Sequence, residues 1–166
     1  MDTKKWGKAS WDVFFIYSRN YPEIIDEKNK EHSNIRKATY QFYESLIYIL
    51  PCIYCRISYK GFWKELPIKD YLQSREKLTE WLYLMKDKVN QKLSKQEKDR
   101  YKKEVSKLKN PSKEEKDELK RCILYTKPSP PLEEVVKKYE KYRAVCGDNK
   151  CVSNPKGKEK VSQSTK

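Results

Sequence analysis

At 166 residues the chain has room for one domain with extensions or for two small ones. Lys and Arg outnumber Asp and Glu by 38 to 24, a formal net charge of +14, and hydrophobic and charged residues each make up 37% of the chain. Only four glycines are present, and neither a GxGxxG nor a GxxxxGK[ST] motif occurs, which excludes both common nucleotide fingerprints.

The charge gives a general attraction to polyanions. Lys and Glu alternate through much of the chain, however, as on solvated helix faces, so no specific nucleic-acid partner is expected. No stretch approaches the roughly 20 apolar residues that cross a bilayer, so no membrane partner is expected either. Residues 1–5 run straight into Trp6 without an apolar segment, and a soluble chain without signal peptide is expected. Five cysteines in that context point to redox use rather than a secreted disulfide framework.

In chain order, residues 8–19 read as a first helix, with Ser10 as its N-cap and Trp11, Phe14, Phe15 and Ser18 on one stripe. Tyr21-Pro22 ends it. Residues 34–50 form the clearest helix, with Ile35, Ala38, Phe42, Leu46 and Leu50 at buried-stripe spacing. Pro51 breaks the chain, and a helix over about 52–64 follows, with an aromatic face of Tyr59, Phe62 and Trp63. Ser74 caps a helix over about 75–94 whose stripe is Leu78, Trp81, Leu82, Met85 and Val89. Residues 94–126 are dominated by charge and read as two helices split at Asn110-Pro111-Ser112. A last helix over about 131–144 carries Leu132, Val135, Val136, Tyr139 and Tyr142. No strand is expected. The predicted fold is all-α, a four- to five-helix bundle with a charged helical insertion.

The chemistry concentrates at Pro51-Cys52-Ile53-Tyr54-Cys55. A CxxC opening a helix meets unpaired N–H groups and the positive end of the helix dipole, both of which favour a thiolate. Such a pair switches between dithiol and disulfide. Half of a zinc site is the alternative, but zinc needs four ligands, and the remaining candidates are His32, Cys122, Cys146 and Cys151. No metal is therefore expected. Cys146 and Cys151, five apart after the last helix, have the spacing of a second, shuttle disulfide.

Trp6-Gly7, Trp11, Tyr21-Pro22, Phe42, the CxxC, Trp81 and Val89-Asn90-Gln91-Lys92-Leu93 together resemble the Erv/ALR sulfhydryl oxidases, in the form encoded by large DNA viruses. The spacings carry the resemblance: Pro22 follows Trp11 by eleven residues, Pro51 follows Phe42 by nine and Asn90 follows Trp81 by nine. It resumes at Lys127-Pro128, Val135 and Tyr139. This implies an oxidase domain over 1–93 and 127–145, an insertion over 94–126, and a flexible tail over 146–166.

The resemblance further implies a helical bundle holding FAD, with the CxxC against the flavin. Thiol-bearing protein substrates would reduce the CxxC, and electrons would pass through FAD to oxygen, giving hydrogen peroxide. Cys52 would be the sulfur attacked by incoming thiolate and Cys55 the flavin-proximal one. The implied cofactor residues are Gly7, Lys8, Trp11, Phe15, Trp81, Lys86, Val89, Asn90, Lys92, Lys95 and Tyr139. Among these, Phe15 and Lys86 stand where the family carries His, Lys8 where it carries Arg, and Tyr139 where it carries Trp. The family's last structural disulfide has no counterpart, its second position being Leu132. A homodimer is expected, and a viral source would place the enzyme in host cytoplasm, viral factory or virion. The competing readings are a flavin-free thioredoxin-like exchanger and a basic helical nucleic-acid-binding protein.

Overall fold

The computed structural model describes residues 3–147 and 150–153. Among them six α-helices appear: α1 (Thr3–Arg19), α2 (Lys30–Ile49), α3 (Ile53–Glu65), α4 (Arg75–Ser106), α5 (Lys113–Ile123) and α6 (Leu132–Glu140). A 3-10 turn at Ile68–Tyr71 precedes α4. The chain divides into two compact units, residues 1–83 with 131–166, and residues 84–130.

The all-α expectation holds for the body of the chain, with one addition. Ala144–Gly147 (β1) and Lys150–Ser153 (β2) pair antiparallel, with Cys146 opposite Cys151. Strands of four residues are at the lower limit for reading alternation, and neither Ala144–Gly147 nor Lys150–Ser153 carries an alternating apolar pattern strong enough to predict this hairpin. It occupies the start of the segment expected to be a flexible tail. Asp148, Asn149 and residues 154–166 lie outside the described residues.

Helix ends differ from expectation for local reasons. Ser10 does not cap α1, which already begins at Thr3. Instead its hydroxyl donates to the Trp6 carbonyl inside the helix, the alternative use of a serine that competes with capping. Helix α2 starts four residues before the predicted residue 34, because the Asn29 side chain accepts from the N–H groups of Glu31 and His32. Helix α4 continues to Ser106 rather than ending near 94, since no Gly or Pro interrupts it before Asn110-Pro111. The predicted turn there is present. Asn110 takes φ 51°, a left-handed conformation asparagine tolerates, and Ser112 closes a capping box with Glu115 to begin α5.

In the first unit an aromatic core joins the helices. Trp81 is fully buried, its indole N–H donating to the Leu66 carbonyl at 3.0 Å, with Tyr43 and Trp63 edge-on at 5.2 and 5.8 Å. Tyr59 of α3 donates to the Tyr43 carbonyl of α2 at 2.9 Å, which fixes the helix that carries the CxxC. Burial pushes the Tyr21 phenol up to about 12, and its hydroxyl donates to the Leu72 carbonyl at 2.8 Å. That bond, with Ile25 N–H to the Gln73 carbonyl at 2.9 Å, pins the loop after α1 to the segment before α4.

In the second unit Glu97 is buried and accepts from both the backbone N–H of Thr126 (3.0 Å) and its hydroxyl. Asn90 donates to the Ser129 hydroxyl at 2.9 Å, and Ile123 of α5 is buried.

Candidate active site

Helix α2 ends at Ile49, and Leu50, Pro51 and Cys52 make the turn into α3. Cys52 is the N-cap of α3, with extended backbone (φ −100°, ψ 123°), and its carbonyl accepts from the N–H groups of Cys55 and Arg56, both at 3.0 Å. Pro51 therefore sits one residue ahead of the cap rather than in the first turn. Arg56 folds back and donates to the Leu50 carbonyl at 2.7 Å, bracing the turn from inside α3.

Cys52 and Cys55 are both free thiols and both half-buried. The Cys55 thiol bonds the Cys52 sulfur and pulls its pKa below the ordinary thiol value. The backbone N–H groups of Cys55 and Tyr54 pull in the same direction, against partial burial. The helix start thus supplies the anion-stabilising donors that the CxxC position promised. A thiol with a lowered pKa leaves more readily in thiol exchange.

The residues that the resemblance assigned to a flavin fall into two groups. In the first unit, Trp11 is half-buried, edge-on to Phe14 at 5.8 Å and tilted against Phe15 at 6.4 Å. Phe15 and Tyr139 are stacked on each other, 4.9 Å between centroids and 11° between planes, and both are buried. The Tyr139 hydroxyl donates to Asp12, which also accepts from Lys138 at 3.1 Å. Gly7 and Trp11 stand one turn apart on α1, Lys8 beside them is exposed, and Trp81 lies in the aromatic core. In the second unit, Lys86, Val89, Asn90 and Lys92 are half-buried on α4 and Lys95 is exposed.

Cys146 and Cys151 are joined as a disulfide across the hairpin, and both are exposed. The Ala144 N–H donates to the Asn20 side chain at 2.8 Å, tying the hairpin base to the end of α1. Cys122 is an exposed free thiol on α5. Among the described residues no group of three or more His, Cys, Asp or Glu could hold a metal ion, and no helix is long and apolar enough to cross a membrane.

Sequence reasoning missed the Asp12–Lys138–Tyr139 cluster and the buried Arg19. Arg19 donates to Glu140 of α6 and to Glu76 and Thr79 of α4. Nothing in local spacing could have found partners 121 residues apart.

The Erv1/Alr family pattern matches residues 8–109. A probable FAD-linked sulfhydryl oxidase of Acanthamoeba polyphaga mimivirus is 32% identical over 91 residues, covering 54% of this chain and 59% of that protein. The chain thus spans about three-fifths of the length of that relative. The crystal structure of the yeast Erv1 core superposes with a TM-score of 0.56 at 19% identity, covering 84% of this chain and 85% of that one, a likeness of fold. A helical bundle of that fold, a half-buried CxxC at the head of α3 and a family match over most of the chain lead to one conclusion: this chain belongs to the Erv1/Alr family.

Proposed function

We propose that the chain is an FAD-dependent thiol oxidase that forms disulfides in thiol-bearing proteins and gives hydrogen peroxide from oxygen. The observation that carries this reading is Cys52, which caps α3 beside the reduced thiol of Cys55, with its pKa lowered by that thiol and by α3 N–H groups. With the pair oxidised, a substrate thiolate attacks the Cys52 sulfur, and Cys55 leaves as thiolate. A second substrate thiolate then attacks the substrate sulfur of the mixed disulfide, forming the product disulfide and expelling Cys52. Two electrons and two protons have passed from the substrate dithiol to the CxxC. The lowered pKa of Cys52 favours that second departure, because a more acidic thiol leaves faster.

The residues of α1 suit a flavin nucleotide. Apart from its chain neighbours and its own helix backbone, no atom of the described residues lies within 4 Å of the position a Cβ would take on Gly7, and among the described residues the buried Trp6 indole N–H has no hydrogen-bond partner. An open glycine, an unsatisfied donor and the half-buried Trp11 ring together fit a planar, polar group. Gly7, Lys8, Trp11, Phe15 and Tyr139 of the first unit would hold it. FAD, when bound, accepts two electrons from the CxxC dithiol and delivers them to oxygen. The chain's part is to present Cys55 to that acceptor and to hold the Cys52 pKa below the ordinary thiol value. Trp81 contributes packing alone, since its N–H is committed to Leu66.

In the same reading Cys146–Cys151 relays electrons from folded substrates, two copies assemble as a homodimer, and residues 94–126 are an insertion in the oxidase domain. The thioredoxin-like alternative needs strands beside its CxxC, whereas Cys52 stands in a turn between two helices. The visible spectrum of the purified protein tests the cofactor. Flavin absorbance that stays with the chain through gel filtration is expected, and a colourless protein that takes up no added FAD would remove it.

A further inference from the structure

The surface around Cys52 is apolar in a way that the chemistry of the cysteines does not require. Ile53, Tyr54 and Ile57 on α3 are 57%, 75% and 62% exposed, and Tyr48 and Ile49 at the end of α2 are 72% and 63% exposed. Ile53 and Ile57 are four apart and Tyr54 and Ile57 three apart, so the three share one outward side of α3. In a chain that is 37% charged, the only charged residue between Glu44 and Lys60 is Arg56, and its guanidinium is turned back to the Leu50 carbonyl. The last turn of α2 carries no base and the first turn of α3 no acid. A continuous exposed apolar patch marks a contact surface rather than ordinary scatter.

Its position says what covers it. Thiol exchange brings a partner sulfur into line with the Cys52 sulfur, and the exposed side chains that border Cys52 along the chain are apolar, Tyr48 and Ile49 before it and Ile53, Tyr54 and Ile57 after it, so the residues flanking the partner's cysteine meet an apolar surface. We infer that this patch selects reduced, incompletely folded polypeptide segments whose cysteine is flanked by apolar residues. Such segments are buried once a protein has folded, so the patch would direct oxidation to chains still lacking their disulfides. The inference rests on the thiol-oxidase reading for its biological use, but the contact itself needs only the Cys52 thiolate.

The test uses the full-length chain with Cys55→Ser, so that a mixed disulfide persists, and Cys122→Ser, to remove the other free thiol. Two short peptides, identical except for leucines or serines on both sides of their cysteine, are activated as mixed disulfides with thionitrobenzoate. Cys52 attacks the peptide sulfur and thionitrobenzoate leaves. The Cys52–peptide adduct is followed by mass spectrometry. The leucine-flanked peptide should react about tenfold faster, the gain expected from partly burying two leucines. Tyr54→Ser with Ile57→Ser should reduce that preference to within about twofold, as expected when most of that apolar contact is lost. Equal rates for the two peptides, or a preference that survives the patch substitutions, would overturn the inference. So would a patch variant that only changes the oligomeric state, since the occupant would then be a second copy. Failure of the wild-type chain to oxidise any thiol would sink the oxidase reading while leaving this preference measurable.

Discussion

Arg19, in the last turn of α1, donates to Glu140 at the end of α6 through Nε at 2.8 Å and Nη2 at 2.6 Å. Its Nη1 meets Glu76 of α4 at 2.8 Å, and Arg19 itself is only 4% exposed. One guanidinium therefore ties the first, fourth and last helices of the first unit. Removing one partner of a buried pair leaves the other charge uncompensated. Glu140→Ala should cost about 3 kcal/mol, the low end for such a break because Glu140 keeps some contact with water. Urea unfolding measures it. An unmoved midpoint would mean that Arg19 finds sufficient compensation in Glu76 alone.

The Asp12 cluster gives an acid step in stability. Burial raises the Asp12 pKa, but the Tyr139 hydroxyl and the Lys138 ammonium outweigh it and hold the carboxyl below its ordinary value. A carboxyl depressed in the folded state contributes stability that is present above its unfolded pKa and is lost as pH falls through the folded one. The contribution should therefore fade as pH drops below about 4. Unfolding midpoints measured against pH should show this loss in the parent and less of it in Asp12→Asn. Identical acid limbs in the two proteins would assign the loss to other carboxyls.

Much of the site was legible because its signals are local. The CxxC opens a helix after the Pro51 break, and Trp11, Phe14 and Phe15 share one helix, as the local pattern predicts. Phe15 and Tyr139 are both among the residues the resemblance assigns to the cofactor, but nothing in the sequence says that they stack on each other. Their pairing depends on how α1 meets α6, as does the Asp12–Lys138 contact. Ser10 misled because one hydroxyl serves equally as a cap or as an in-helix donor. The hairpin escaped because its register is set by residues on both sides of a turn, not by a pattern within either strand.

The insertion should be separable from the chemistry. Glu97 holds Thr126 and Asn90 holds Ser129, so the return segment is anchored by residues that precede position 98. Deleting residues 98–121 and closing the gap with a short flexible linker should leave flavin absorbance and small-thiol oxidation largely intact. Loss of flavin from a folded deletion variant would place part of the deleted segment, the end of α4 or α5, in the cofactor site.

Cys146 and Cys151 bear on large substrates. Small thiols reach a half-buried Cys52 directly, whereas a folded protein needs a carrier with two sulfurs in reach of each other. The exposed cross-strand disulfide has the two joined sulfurs that the proposed carrier requires. Cys146→Ser with Cys151→Ser should slow oxidation of a reduced protein several-fold while leaving dithiothreitol turnover near the parent value. Equal rates on several reduced proteins would make the hairpin disulfide purely structural.

The central claim is that Cys52 and Cys55 carry electrons from thiols to oxygen. Oxygen consumption with dithiothreitol as donor measures it directly, in the parent and in Cys52→Ser and Cys55→Ser. The parent should consume oxygen and release hydrogen peroxide in equal amounts, and each single substitution should abolish turnover while the protein stays folded. Turnover at the parent rate in either variant would contradict the assignment of this pair as the redox centre.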